Sequence, residues 1–259
     1  MRAHLRRLIL DWRLLMMVLA ALALAAALSK PQVYTLSALE TMDPETLEAY
    51  QARLGLQGLS VADFARRYAE QILLPQLLGG SATAILVAAV VGGGLVGDCL
   101  KRPVKGEIYA GRSRTRIILD LWAAGMAVGA AASLLLSGLV LLIYGRDCLA
   151  LLGSAAWPQV RRAVLWRLGF DLAAFCPAML FAFLTQEANL SVLAGAMLAV
   201  LTGFLGLLKA RLWWFPSYAV QTVILRADVL RPKYLLPSIL LLIATPLAGM
   251  LRLRQREPQ

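Results

Sequence analysis

Long apolar runs bounded by charged residues constrain the fold of this chain more than any other feature of its sequence. Hydrophobic residues make up 60% of the 259 positions and charged residues only 16%, an apolar excess that a single soluble core does not bury. A helix needs about 20 consecutive apolar residues to cross a bilayer. Because backbone inside the hydrocarbon must satisfy its own hydrogen bonds, every such run is predicted to be a helix. The six predicted spans are residues 8–28, 77–97, 121–145, 168–186, 188–208 and 234–251.

The predicted fold class is therefore all-α, a polytopic membrane protein in which residues 1–259 form one transmembrane domain with six helices. Lys and Arg are enriched on the cytoplasmic side of membrane proteins, above all in short loops. If both termini are inside, the inner and outer segments carry equal numbers of Lys and Arg residues. The inner segments are about half as long in total, so their positive charge is denser. The denser charge favours a bacterial plasma (inner) membrane protein with cytoplasmic termini, an outer helical loop 29–76 and an inner loop 98–120.

The net charge of +11 has two interpretations, a nucleic-acid surface or basic flanks at the membrane face. The second interpretation is favoured, and no nucleic acid is expected as a partner. The basic N-terminus, residues 1–13, precedes an apolar stretch and so also resembles a signal peptide. Residues 28–31, Leu-Ser-Lys-Pro, make a poor cleavage site, which favours a retained first helix.

The outer loop 29–76 contains two helix-start signals. Asp43-Pro44-Glu45 combines an N-cap residue with a proline at the first helical position, and predicts a helix as far as about Leu54. Ser60-Val61-Ala62-Asp63 resembles a capping box and predicts a second helix to about Leu74, before Pro75. The apolar face predicted for that second helix consists of Val61, Phe64, Ala65, Tyr68 and Ile72.

Small residues recur at four-residue spacing in the second and third spans, a pattern that lets two helices approach closely. The residues predicted to pack helices in this way are Gly93, Gly97, Gly125 and Gly129. The run of glycines at 92–94 lies inside an apolar span and lacks a following Lys-Ser, and no nucleotide-binding P-loop motif occurs in the chain. ATP is therefore not expected to bind to this chain.

The inner loop 98–120 is strongly basic. Gly111 is predicted to break the chain direction, and Ser113 to cap a helix that continues into the third span. One interpretation is a basic loop that follows the charge bias of the cytoplasmic side. The other is a docking element for a cytosolic partner.

This loop resembles the corresponding loop of the ABC-2 type permease family, the membrane subunits of a class of ABC exporters with a type V exporter-like transmembrane domain. The residues that match the family pattern are Asp98, Lys105, Gly111, Ser113, Arg114, Thr115, Arg116 and Ile117. The chain departs from that pattern at Arg102-Pro103, where many relatives have Gly-Thr, and at Leu121, where many have Lys. The six-helix count and the aromatic-proline segment at 213–218 also fit the family.

The resemblance implies a permease subunit that is not itself an enzyme and carries no cofactor. ATP and Mg²⁺ are expected in a separate ATP-binding cassette subunit, and a second permease subunit, identical or related, would complete the substrate path within the lipid bilayer. The residues implied to couple to the ATPase are Lys105, Glu107, Gly111, Arg112, Ser113, Arg114 and Arg116.

Two rival classes follow from the residues alone. An intramembrane enzyme is disfavoured because the single histidine, His4, lies outside every span and no zinc-protease motif is present. An ion-coupled transporter or channel subunit without an ATPase partner is the alternative. Such proteins carry ionisable groups at mid-membrane, whereas Asp171 is placed near the end of the fourth span, solvated or paired with Arg167 one turn earlier.

Overall fold

The computed structural model describes residues 36–79, 111–153, 156–187, 189–194 and 235–255, together with Met16, Leu19, Ala23 and Met197. No strand occurs within these ranges, and the all-α fold class is confirmed. The helices are α1 (Leu36–Glu40), α2 (Pro44–Leu54), α3 (Val61–Tyr68), α4 (Leu74–Gly79), α5 (Arg114–Leu152), α6 (Ala156–Thr185) and α7 (Leu235–Gln255), with a π-helical segment, Ala69–Leu73, between α3 and α4.

Side-chain caps begin both α2 and α3. The Asp43 carboxylate accepts a hydrogen bond from Thr46 N at 3.4 Å, and Pro44 follows at the first helical position, where its missing N–H removes no helical bond. Ser60 Oγ accepts a hydrogen bond from Asp63 N at 3.2 Å and donates one to Asp63 Oδ2 at 2.7 Å. Both helices therefore begin where the sequence predicts, through the local chemistry of their first turns.

Aromatic rings hold α2 against α3. The ring centroid of Tyr50 lies 6.0 Å from that of Phe64 and 6.0 Å from that of Tyr68, and the Phe64 and Tyr68 rings stack at the same separation. The apolar face predicted for the second helix of loop 29–76 is confirmed. Its buried or half-buried members are Val61, Phe64, Ala65, Tyr68 and Ile72.

Helical backbone continues through Pro75 to Gly79, so the prediction that the second outer helix ends at Leu74 was wrong. In the π-helical segment the Leu74 N–H donates to the carbonyl of Ala69, five residues back. Pro75 is then the second residue of α4. Because a proline is tolerated in the first turn of a helical segment, the change of hydrogen-bond pattern just before it lets the helix continue.

The longest helix, α5, contains 39 residues. At about 1.5 Å per residue it is ~58 Å long, which exceeds the ~40–45 Å thickness of a whole bilayer. Gly153 ends it with φ 58° and ψ −134°, a backbone conformation in which a side chain is strained. The chain then returns as α6, antiparallel to α5 and packed along it.

Helix α7 packs along α6 and runs in the same direction. Thr245 Oγ1 donates to the carbonyl of Cys176 at 3.5 Å. Further along both helices, Gly249 lies against the ring of Phe183. Pro177 in α6 and Pro246 in α7 lie inside their helices, and neither helix is interrupted there.

Three predicted spans coincide with described helices. Helix α5 contains span 121–145, α6 contains span 168–186 to within one residue, and α7 begins one residue after the start of span 234–251. Among the described residues, α5 is the one helix that is long and apolar enough to cross a membrane, and Phe175–Thr185 and Ile239–Arg252 are shorter apolar segments. Most residues of the other three predicted spans lie outside the described residues; these spans are 8–28, 77–97 and 188–208. The aromatic segment 213–218 also lies outside them.

Candidate functional site

The basic residues in the second half of the predicted inner loop 98–120 lie at or just before the beginning of α5. Gly111 has φ +80°, a left-handed conformation that glycine adopts without strain, and it turns the chain just before the helix. Ser113 Oγ accepts a hydrogen bond from Arg116 N at 3.4 Å, and the helix starts at Arg114. Arg112, Ser113 and Arg116 are exposed and Arg114 is half-buried. The predicted turn at Gly111 and the predicted cap at Ser113 are both confirmed.

Positive charge at this end of α5 does not stabilise the helix. The N-terminus of a helix carries a partial positive charge, so neighbouring cations are unfavourable there. Arg112, Arg114 and Arg116 nevertheless surround the first turn of α5. The carboxylate of Asp120, in the second turn of the same helix, lies close enough to Arg112 and Arg116 to interact with them electrostatically. Three arginines beside one acid leave this end of α5 positively charged.

The last turns of α6 and α7 surround the first turns of α5. Ile118 of α5 is fully buried. A Cβ atom built on Gly249 would lie 3.1 Å from the ring of Phe183 and 3.2 Å from Ile118 Cγ2. Three helices therefore meet in close contact just beyond the exposed basic turn.

Gly129, one of the two predicted packing glycines of the third span, lies between two helices of this same chain. Gly125 and Gly129 are both buried. A Cβ atom on Gly129 would come within 2.8 Å of the Phe175 ring, so the absence of a side chain lets that ring lie against the α5 backbone. The small-residue spacing thus marks the contact between α5 and α6.

An ion pair is buried in the same contact. The Arg167 Nε donates to Asp171 Oδ2 at 3.1 Å, and the two side chains are 1% and 5% exposed. Ser133 Oγ donates to the same carboxylate oxygen at 2.6 Å. Arg167 Nη1 donates to the backbone carbonyl of Leu78. This polar network, defined by Ser133, Arg167, Asp171 and the Leu78 carbonyl, joins α4, α5 and α6.

The polar network lies at the middle of both long helices. Ser133 is the central residue of α5, and Asp171 is near the centre of α6 because that helix begins at Ala156. The pairing of Asp171 with Arg167 is confirmed, but the residues are buried, and Asp171 is not near the end of its helix. The predicted fourth span begins at residue 168 because three arginines, at 161, 162 and 167, precede it. The helix itself begins earlier, at Ala156, since arginine is a good helix former and does not end a helix.

At the opposite end of the bundle the π-helical segment between α3 and α4 contacts the last turns of α5 and the first turns of α6. Gln159 Nε2 donates to Glu70 Oε1 at 2.6 Å, and Cys148 Sγ donates to the carbonyl of Ala69 at 3.8 Å. Cys148 is fully buried. The second half of loop 29–76 therefore packs on the end of the helix pair that lies furthest from the basic turn at Gly111.

Four predicted site residues lie outside the described residues: Lys105, Glu107, Gly93 and Gly97. The structure brings together Gly111, Arg112, Ser113, Arg114 and Arg116 at one end of α5. Within the described ranges, no group of three or more His, Cys, Asp or Glu side chains is arranged to hold a metal ion. Comparison of the chain with protein-family models, curated proteins and solved structures finds no match.

Proposed function

We propose that this chain is the membrane-spanning permease subunit of an ATP-binding cassette exporter of the ABC-2 type. The observation that carries the proposal is the continuity of α5, a single 39-residue helix that begins with an exposed basic turn. A helix of ~58 Å is longer than the bilayer is thick. Its first turns then stand in the cytosol while its apolar middle crosses the lipid.

Such a helix is suited to couple two compartments. The ATP-binding subunit contacts the exposed residues Arg112, Ser113 and Arg116 together with the rest of loop 98–120. Because α5 is unbroken from Arg114 to Leu152, a movement of its first turn is carried into the membrane as a rigid-body movement. The close packing of Ile118, Phe183 and Gly249 carries the same movement to α6 and α7.

The directions of the described helices support the proposed topology. Helix α5 leaves the end of the bundle that carries Gly111, α6 returns to it, and the last turns of α7 reach the same end. The proposed inner loop and the proposed cytoplasmic C-terminus therefore share one end. The contact between Glu70 and Gln159 brings the two proposed outer segments together at the other.

The chain's partners under this proposal are an ATP-binding cassette subunit, which binds ATP and Mg²⁺, and a second permease subunit. The pair of permeases, identical or related, encloses the substrate path in the lipid bilayer of a bacterial inner membrane. This chain supplies the substrate path and the coupling surface, and the ATP-binding cassette subunit hydrolyses ATP.

Charge reversal at matched positions tests the proposal. The tagged full-length chain is purified from native membranes, and we expect an ATP-binding cassette subunit to co-purify with it. The double variant Arg112→Glu/Arg116→Glu should weaken that association, by about 2 kcal/mol for each charged contact that the partner buries. The control Arg161→Glu/Arg162→Glu changes two exposed arginines at the far end of the helix pair and should leave the association intact. Absence of any ATP-binding subunit, or equal loss in both variants, would contradict the proposal.

A second function, an ion-coupled transporter or channel subunit without an ATPase partner, is favoured by one observation. The buried pair of Arg167 and Asp171 lies at the middle of both long helices, where ionisable groups in membrane proteins mark ion or substrate pathways. The described parts of α6 and α7 lack the interrupted helices that accompany many such pathways, since both helices continue through their prolines.

Reconstitution of the purified chain alone separates the two functions. Proteoliposomes that contain only this chain should show no flux driven by a proton or sodium gradient if it is an ABC permease. Gradient-driven flux that disappears in the variant Asp171→Asn would establish the second function instead.

A further inference from the structure

The contact between α5 and α6 follows one register over several turns. Gly129 faces Phe175, and one turn further along α5 Ser133 donates to Asp171. Because the helices are antiparallel, a step of one turn forward along α5 matches a step of one turn back along α6. Continued by one more turn, this register predicts that Ser137 lies opposite Arg167.

These two residues carry buried polar atoms that the protein does not satisfy. Ser137 is 2% exposed and Arg167 is 1% exposed. Ser137 Oγ and Arg167 Nη2 have no hydrogen-bond partner among the residues that the structure describes, although Arg167 Nε and Nη1 are both bonded. Buried polar groups are nearly always paired with protein atoms or with ordered water, so each of the two atoms requires a hydrogen-bond partner that the described residues do not supply.

The charges around the site select the class of ligand. A cation is disfavoured beside the guanidinium group. An anion is disfavoured because the Asp171 carboxylate already compensates that charge at 3.1 Å. Arg167 Nη2 needs a hydrogen-bond acceptor, whereas the Ser137 hydroxyl accepts or donates. A neutral molecule with one small oxygen that both accepts and donates meets these requirements.

We propose that Ser137 and Arg167 bind one internal water molecule between α5 and α6, next to the polar network. The water accepts a hydrogen bond from Arg167 Nη2 and exchanges one with Ser137 Oγ. It extends the line of polar contacts from Ser133 and Asp171 by one helical turn, and it leaves no arm of the guanidinium unpaired. A site of this kind belongs to the helix pair itself and is independent of the chain's partners.

An experimental structure of the full-length chain, at a resolution that shows ordered solvent, tests the proposal. We expect a density peak at about 2.7–3.2 Å from both Arg167 Nη2 and Ser137 Oγ. In the variant Ser137→Ala the peak should be lost or greatly weakened. In Thr245→Val, which removes a buried hydroxyl outside the polar network, it should remain.

Three results would overturn the proposal. The first is a direct hydrogen bond from Arg167 Nη2 or Ser137 Oγ to another protein group in the wild-type map. The second is a wild-type map of that quality with no peak at the site. The third is an anomalous bromide signal at the same position after chloride is exchanged for bromide, which would make the ligand an anion. Because the first two results come from the wild-type protein, the proposal stays testable if a variant does not fold.

Discussion

The Arg167 guanidinium and the Asp171 carboxylate, one helical turn apart on α6, form an ion pair of 3.1 Å inside the helix bundle. Transfer of two such charges out of water costs several kcal/mol per ion, and the attraction between them returns that cost only when further hydrogen bonds are present. Here Ser133 and the Leu78 carbonyl provide these bonds. The pair is therefore stable as a unit but costly to split.

Removal of one partner should destabilise the chain far more than removal of both. Arg167→Met leaves the Asp171 carboxylate buried without its cation, and we expect a loss of about 3–5 kcal/mol in the free energy of unfolding. The double variant Arg167→Met/Asp171→Leu places two apolar side chains in the same space and should unfold close to wild type. Reversible unfolding of the purified protein in detergent, followed by circular dichroism, measures both.

The exposed residue Arg162, on the same helix, provides the control for this prediction. Arg162→Met removes an exposed arginine that has no ion pair among the described residues, and it should change stability by less than about 0.5 kcal/mol. Equal losses in Arg162→Met and Arg167→Met, or a double variant less stable than Arg167→Met, would show that the pair is not buried as a unit.

The two glycines at 129 and 138 give a second, sterically matched test. A Cβ atom at Gly129 would meet the Phe175 ring at 2.8 Å, whereas one at Gly138 meets nothing within 4 Å. We expect Gly129→Ala to lower the free energy of unfolding by about 1–3 kcal/mol through overpacking. Gly138→Ala should be neutral or stabilising, because alanine is the better helix former by about 1 kcal/mol.

Relief of the clash distinguishes overpacking from other causes. Addition of Phe175→Leu to Gly129→Ala replaces the ring with a smaller side chain and should recover part of the loss in the same unfolding experiment. A double variant in which the two losses simply add would indicate that Gly129 and Phe175 do not touch.

Local chemistry accounts for the features that were predictable from the sequence. The caps at Asp43, Ser60 and Ser113 depend on a side chain and a backbone N–H three residues apart, so their positions can be read directly. The pairing of Arg167 with Asp171 follows from helical spacing in the same way. The spacing of Gly125 and Gly129 also predicted a close helix contact, without identifying the helix on the other side.

Non-local features were not predictable. Ser133 and Asp171 are separated by 38 residues, and their hydrogen bond depends on the register of two helices, which no local pattern specifies. The continuation through Pro75 depends on a π-helical segment with no clear signal in its own residues. The early start of α6 at Ala156 was missed because charge was taken as the limit of a helix, although charge limits only its apolar part.

Accessibility of introduced cysteines tests the proposed topology. Cys99, Cys148 and Cys176 are first replaced by alanine, and single cysteines are then placed at the exposed positions Glu48, Arg161 and Arg112. A membrane-impermeant maleimide applied to intact spheroplasts should label the first two and should reach Arg112→Cys only after permeabilisation. The opposite pattern would reverse the orientation, and labelling of all three from outside would contradict a membrane span between them.

The rigidity of α5 between its basic turn and its apolar middle leads to the last prediction. Leu119 is 42% exposed and lies between these two parts, so its replacement tests the helix rather than the core. Leu119→Pro removes the helical hydrogen bond to the Thr115 carbonyl and weakens the helix by about 3 kcal/mol or more. If α5 transmits movement, this variant should still bind the ATP-binding subunit and support ATP hydrolysis, while export stops. Leu119→Gly, which weakens the helix by about 1 kcal/mol, should lose part of the export rate, and Leu119→Ala should retain it. Normal export by a monodisperse Leu119→Pro protein would mean that coupling does not pass through α5.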